Sequence, residues 1–258
     1  EQPRGHHPGA HGGCGGAVSA IAIVARAAHW MLKNPLMDTG SRFRARVVGA
    51  LLLFLAFIAF VSTDSWFSIL EDETTIVALA RQPPLVTVGQ FWSGDGQHMH
   101  PPLSDLFLHV WIDISGGSKL ALRIPSMLLF LAAIFVLALS AEKIGGPGSF
   151  LPGIAIGTFW PFGFHFGRIA GWYAWSFFLV AMLTLSYLQF LEKPDRRRMG
   201  LFVTWALLLV FSNYFGWAIV VCLAADIALI RRHPAAKRFI VVTFVTLGLA
   251  YLPLWAIL

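Results

Sequence analysis

The chain has 258 residues, of which 57% are hydrophobic and only 12% are charged, whereas about 25% of residues are charged in an average soluble domain. The mean hydropathy is +0.70, and the two cysteines lie far apart in the sequence. This composition excludes a soluble globular enzyme, a disordered tail and a disulfide-stabilised secreted module, and it predicts an integral membrane protein. The net charge of +6 is then read first as a sign of orientation rather than of nucleic-acid binding, because cytoplasmic loops collect Lys and Arg.

The beginning of the chain differs from the rest. It is rich in glycine and histidine, and His6, His7 and His11 lie in a Gly-rich setting that favours a flexible segment over a metal site. We therefore predict a flexible or non-native extension over residues 1–40 and a membrane module over 41–258.

Long apolar runs predict the membrane-spanning helices, each of which needs about 20 such residues. In chain order these runs are 47–63, 124–141, 144–167, 169–191, 199–230 and 239–258. We interpret 199–230 as a hairpin that turns at Ser212–Gly216, since a single helix would place the following bases outside the cytoplasm. This predicts about seven spanning helices. The last run reaches Leu258 without a polar tail, which favours a module of a longer protein.

The distribution of charge predicts the orientation. Arg42, Arg44 and Arg46 precede the first span and place its start in the cytoplasm. The segment 64–113 is then outside, and it contains many carboxylates but a single base, Arg81. We predict a membrane protein with a cytoplasmic N-terminus and its polar site on the outer face.

The outer segment is predicted to hold two helices that lie along the membrane surface. The first covers 74–81, and the second lies within 101–118, which is too short to span and carries Asp105, His109 and Asp113. The predicted fold class is all-α, with about seven transmembrane helices and two juxtamembrane helices in the first outer loop.

Two polar clusters in this loop are candidate sites, since polar groups on an apolar background usually have a function. The first is Glu71-Asp72-Glu73, whose carboxylates suit a general base; an acidic first helical turn explains them equally well. The second contains His98 and His100, which can bind a sugar or a phosphate. With Asp72 they form a weaker candidate metal site, and a solvated loop is the alternative.

A third cluster consists of outer bases. Lys119, Arg123 and Arg168 can bind phosphate oxygens, although an Arg at the end of a span also extends to the interface without any such role. Tyr173 follows close behind Arg168. Separately, Asp226 lies within an apolar run, and we predict that it pairs with a base at the inner end.

In their order and spacing, these motifs resemble the GT-C superfamily of membrane glycosyltransferases. The resemblance is closer to its family 39 type, which includes protein O-mannosyltransferases and the lipid A aminoarabinose transferase. It extends over residues 42–258. The matching motifs are Asp72-Glu73 after the first span, His100-Pro101-Pro102-Leu103, Arg123-Ile124-Pro125-Ser126, and Arg168 with Tyr173.

This resemblance implies an inverting transfer of a sugar from a polyprenyl-phosphate donor to an acceptor hydroxyl on the outer, periplasmic face of a bacterial inner (plasma) membrane. It implies that Asp72 deprotonates the acceptor, with Glu73 beside it. The residues expected near the sugar or phosphate are His98, His100, Lys119, Arg123, Arg168 and Tyr173. The expected acceptor is a lipid, a glycan or a protein, and the surrounding lipid is a further partner.

The resemblance implies no obligatory cofactor. Many relatives have an acid just before the Arg that corresponds to Arg168, whereas Phe166-Gly167 precede it here. This departure argues against a metal bridge between the outer loops and leaves a divalent cation open. Two other interpretations remain: a transporter or flippase-like carrier of a lipid-linked or anionic substrate, and a non-catalytic membrane subunit. A carrier would show an internal repeat, which the sequence lacks.

Overall fold

A computed structural model describes residues 39–64, 71–93 and 101–255. All regular structure in these ranges is helical. The α-helices, in chain order, are α1 (Thr39–Ser62), α2 (Glu71–Ala80), α3 (Pro84–Ser93), α4 (Leu103–Ser115), α5 (Lys119–Gly145), α6 (Phe150–Thr158), α7 (Pro161–Phe166), α8 (Trp172–Glu192), α9 (Arg196–Val210), α10 (Phe215–Ala225) and α11 (Ala236–Trp255). A short 3₁₀ turn precedes α6, and a π-helical turn, Asp226–Ile230, follows α10.

Three helices in the described ranges are long and apolar enough to cross a membrane. They are α1, α5 and α8, with candidate spans at Gly40–Ser62, Lys119–Gly145 and Trp172–Glu192. Apolar side chains on α1 and α11 remain exposed, including Phe54, Leu55 and Leu249, as expected for a surface that lipid covers. The predicted all-helical class is confirmed, and the chain is compatible with a membrane protein. The predicted number of about seven spans is not confirmed.

The predicted span over 144–167 is interrupted. The helix α6 contains nine residues, which at about 1.5 Å per residue is too short to cross a bilayer. Trp160 is extended, with φ −70° and ψ 112°, because a residue before proline avoids the helical region. Pro161 also lacks the N–H that would continue the helix. An uninterrupted run of apolar residues therefore does not form one continuous helix here.

The predicted hairpin turn at Ser212–Gly216 coincides with a break between α9 and α10. Asn213 Oδ1 accepts a hydrogen bond from the backbone N–H of Phe215 at 2.9 Å, which stabilises the turn. A Cβ on Gly216 would lie 2.8 Å from Leu209 Cγ and 3.1 Å from the Leu209 carbonyl carbon. Glycine therefore allows the turn to pack closely against the end of α9.

The segment between α1 and α5, which is predicted to lie outside, contains one more helix than predicted among its described residues. The helices α2 and α4 match the two predicted juxtamembrane helices, and α3 lies between them. The extra helix begins at Pro84 after Pro83, and proline favours the first position of a helix, where its missing N–H has no intrahelical partner.

A tryptophan from α4 compensates for a proline inside α5. Pro125 cannot donate the hydrogen bond that the carbonyl of Ala121 would otherwise accept. The Trp111 indole N–H donates to that carbonyl instead, at 2.7 Å. This contact joins the outer segment to the start of α5.

Two apolar clusters hold the helices together, and α8 contributes to both. The first contains Phe60, Phe130 and Ile154, from α1, α5 and α6. The second contains Phe202 of α9 and Phe239 of α11, whose ring centroids lie 4.5 Å apart. Because α8 supplies buried residues to both clusters, the described helices form a connected bundle.

Charged side chains gather near opposite ends of α1 and α5. Arg46 of α1 pairs with Glu142 of α5 at 3.3 Å, and we call this the Arg46 end. Asp64, just after α1, pairs with Arg123 near the start of α5 at 2.8 Å, and we call this the Arg123 end. The placement of these two ends on different sides of a membrane stays a prediction.

Asp226 pairs with a base, as predicted. Its carboxylate lies 2.6 Å from Arg231 Nε and accepts a hydrogen bond from the Tyr187 hydroxyl at 2.6 Å. These contacts join the π-helical turn to α8 and account for an acid in an apolar run.

Candidate functional site

A buried ion-pair cluster occupies the Arg123 end. Arg123 Nε and Nη2 donate to the two carboxylate oxygens of Glu73 at 2.7 and 2.6 Å, and Nη1 donates to Asp64 Oδ1 at 2.8 Å. The three side chains are 2%, 3% and 9% exposed, respectively. One guanidinium therefore connects the segment after α1, the first turn of α2 and the start of α5. Such a bidentate pair is both strong and geometrically specific.

Glu73 has a third donor. Its Oε1 also accepts a hydrogen bond from the backbone N–H of Ala170, at 3.0 Å. The carboxylate therefore joins α2 to the segment between α7 and α8. Glu73 is expected beside a catalytic base, and its contacts hold the first turn of α2 to Arg123 and Ala170.

Arg168 lies near this cluster and is also buried. Its guanidinium stacks on Phe164, 4.1 Å from the ring centroid, and Nη2 donates to Thr63 Oγ1 at 3.2 Å. Burial lowers the pKa of Arg168, nearby Asp64 opposes that effect, and the positive charge of Arg123 adds to it. The two predicted phosphate-binding arginines are thus close together, with their guanidinium groups inside the protein.

A groove of about 390 Å³ opens beside the cluster, between α2 and the α4–α5 turn. Lys119 and Arg81 line it together with Glu73 and the apolar side chains of Val77 and Leu122. Lys119 Nζ donates to the backbone carbonyl of Asp64 at 2.8 Å. Lys119 is thus the predicted phosphate-binding residue that lies between the buried cluster and an open groove.

The other predicted site residues lie elsewhere or outside the described residues. Tyr173 stacks on Trp172, with ring centroids 4.0 Å apart, and Phe166 lies beside it. His98 and His100 lie outside the described residues. Asp72 belongs to the first turn of α2, but its side chain is outside the described part of the structure. The structure therefore brings together Glu73, Lys119, Arg123 and Arg168.

The weaker metal hypothesis concerns side chains that lie outside the described ranges. Within those ranges, no group of three or more His, Cys, Asp and Glu side chains is arranged to hold a metal ion. The proposed ligands His98 and His100, and the side chain of Asp72, fall outside the residues described.

Two residues at this end of the protein were not predicted as site residues. Asp64 pairs with both Arg123 and Lys119, and its position just after an apolar span was the only available signal. Gly117 lies in the α4–α5 turn and lines the groove, and the Arg81 guanidinium lies 3.3 Å from where its Cβ would be.

Asp105 was predicted to lie in a helix at the membrane surface. The structure places it in the first turn of α4, where it is buried.

We predict that Asp105 makes stability depend on pH. Burial raises the pKa of Asp105 from 3.8 to about 7, and a hydrogen bond with Ser104 partly opposes this. The folded state therefore binds the proton more tightly than the unfolded state, and stability falls as the pH rises from about 4 through 7. Asp105→Asn should reduce this dependence and raise the melting temperature at pH 8. The measurement is thermal unfolding of the detergent-solubilised protein from pH 5 to pH 8.

The matched control is Asp113→Asn on the same helix, whose carboxylate is 70% exposed. It should retain the wild-type dependence of melting temperature on pH. Equal slopes for wild type and Asp105→Asn would contradict the prediction.

Comparisons with known proteins identify no relative. No family model matches the chain, no curated protein matches it, and no solved structure matches it. The likeness to GT-C glycosyltransferases thus depends on the order and spacing of the motifs in the sequence.

Proposed function

We propose that this chain transfers a sugar from a polyprenyl-phosphate donor to an acceptor hydroxyl at the Arg123 end of the bundle, as a GT-C-type glycosyltransferase. The observation that carries this proposal is the groove with Lys119 and Arg81 beside the buried Arg123–Glu73 pair. A lipid-linked donor needs an anion-binding groove next to an apolar bundle, and this end of the molecule combines both features.

In the proposed complex, Lys119 and Arg81 contact the donor phosphate directly. Both line the groove, whereas the guanidinium groups of Arg123 and Arg168 lie inside the protein. The two buried arginines act on the leaving group at longer range. Positive charge arranged in advance around a developing phosphate anion is usually a large part of catalysis.

Asp72 is the proposed general base. It removes the proton of the acceptor hydroxyl while the oxygen attacks the anomeric carbon of the sugar. The bond from that carbon to the phosphate oxygen breaks, and the polyprenyl phosphate leaves as an anion with inversion at carbon. Glu73, held by Arg123 and Ala170, fixes the start of the helix that carries Asp72.

The proposed orientation places the Arg46 end in the cytoplasm and the Arg123 end outside. The bases in the first turns of α1 and the run Arg196-Arg197-Arg198 at the start of α9 support this, because cytoplasmic segments are enriched in Lys and Arg.

The binding step can be tested with polyprenyl monophosphate, the lipid product that every donor of this class releases. The wild-type chain in detergent should bind tritiated polyprenyl monophosphate and should not bind the corresponding polyprenol, which has no phosphate. Lys119→Gln should weaken binding by about 10- to 150-fold, since a hydrogen bond to a charged group contributes about 1.5–3 kcal/mol.

The matched control is Lys193→Gln, an exposed base in the turn between α8 and α9. It should leave the affinity unchanged. Equal binding of the phosphate and the alcohol, or equal losses in the two variants, would exclude the groove as the donor phosphate site.

A further inference from the structure

A second pocket lies at the Arg46 end, away from the candidate site. It has a volume of about 420 Å³ and lies between the start of α1 and the C-terminal parts of α5 and α8. Three bases and one acid line it: Arg42, Arg46, Lys143 and Glu142. Bases therefore exceed carboxylates in its lining, and the pocket favours an anion.

The bases converge from two helices. Arg42 and Arg46 are four residues apart on α1 and thus project from the same face. Arg46 pairs with Glu142 at 3.3 Å, and Lys143 pairs with Glu192 at 2.7 Å. Arg46 remains 49% exposed, so its guanidinium can still reach a ligand in the pocket.

Apolar residues continue from the charged part of the pocket. Leu139, Pro147 and Leu185 also line it, together with the amide of Gln189. The helix α1 exposes Val47 and Leu51 directly after its bases. A charged region at a helix end followed by an apolar surface matches the polarity of a phospholipid, whose phosphate lies at the membrane surface and whose acyl chains extend inward.

We propose that this pocket binds the phosphate of an anionic phospholipid. Arg guanidinium groups donate two parallel hydrogen bonds to phosphate oxygens, and basic pockets between membrane helices bind anionic headgroups. A zwitterionic headgroup adds a cation that the three bases would repel, so the pocket selects lipids with net negative charge. Free inorganic phosphate offers the same anion without acyl chains, and the experiment separates the two.

The test is titration of the full chain, in a neutral detergent, with dioleoyl phosphatidylglycerol or dioleoyl phosphatidylcholine, with bound lipid counted by native mass spectrometry. Phosphatidylglycerol should bind more tightly than phosphatidylcholine. Arg42→Gln/Arg46→Gln should weaken its binding roughly tenfold or more, because it removes the charge-assisted hydrogen bonds that the two guanidinium groups donate to the phosphate. Glu142→Gln removes the carboxylate from the pocket and should strengthen the binding of phosphatidylglycerol. The two variants therefore change the charge of the pocket in opposite directions.

The matched control is Arg196→Gln/Arg197→Gln, which removes two exposed bases at the start of α9 that do not line the pocket. Its affinity for phosphatidylglycerol should stay within about twofold of wild type, because charge alone has only a modest effect away from a specific site. Equal losses of affinity in the two double variants would show that the lipid binds by diffuse attraction to surface charge and not in the pocket. That result would overturn the proposal. Displacement of the lipid by an equal concentration of inorganic phosphate would overturn the lipid assignment. These readouts do not involve sugar transfer, so the proposal stands or fails separately from the proposed function.

Discussion

Asp72→Asn in the full chain is expected to abolish sugar transfer while leaving membrane insertion intact. The amide is close in shape to the carboxylate but cannot accept the proton of the acceptor, and loss of a general base typically costs about 10²–10⁴-fold in rate. The rate should be followed as release of polyprenyl monophosphate from a panel of polyprenyl-phosphate sugars, because that product does not depend on which sugar is transferred.

The matched control is Glu71→Gln, which removes a neighbouring carboxylate from the first turn of α2. It should retain transfer. Turnover of Asp72→Asn at the wild-type rate would exclude Asp72 as the base. A wild-type chain that binds polyprenyl monophosphate but releases none from any donor would favour the carrier interpretation, since a carrier breaks no glycosidic bond.

Arg123→Met should produce the largest loss of stability among these variants. It leaves the carboxylates of Glu73 and Asp64 buried without their guanidinium partner. Removing one member of a buried ion pair costs about 3–5 kcal/mol. For a chain of this size, that corresponds to a decrease of roughly 10 °C in melting temperature. The measurement is thermal unfolding in detergent.

The double variant Arg123→Met/Glu73→Gln provides an internal check. Because Glu73→Gln removes one of the two stranded charges, the loss should be smaller than the sum of the two single losses. The exposed control Arg81→Gln, in the same groove but outside the ion pairs described, should stay within about 0.5 kcal/mol of wild type. Additive losses of stability, or a melting temperature unchanged in Arg123→Met, would show that the Arg123–Glu73 pair does not hold α2 in place.

The helical class, the hairpin break and the distribution of charge were predictable because they depend on neighbouring residues. A run of apolar residues without charge forms a helix suited to lipid, and α1, α5 and α8 arose where the sequence predicted spans. The positions of bases and acids relative to the apolar runs are given by the sequence, so Arg46 and Arg123 could be assigned to different ends. The sequence also indicated that Glu73, Lys119, Arg123 and Arg168 share one end of the protein.

The partners of those side chains depended on the tertiary structure. Residue type alone does not tell whether Arg123 binds a substrate phosphate or a carboxylate 50 residues earlier in the chain. In the folded protein, Glu73 of α2 lies beside Arg123 of α5, and Glu73 Oε2 is 2.6 Å from Arg123 Nη2. Hydropathy likewise counts residues but does not register backbone geometry, so the interruption at Trp160 was not predicted. The groove with Lys119 and Arg81, and the pocket at the Arg46 end, each require helices distant in sequence to meet. The sequence by itself determined which charges gather at each end, because charge follows local composition; the tertiary structure decided which of them are buried in ion pairs and which face a cavity, because that depends on how the helices pack.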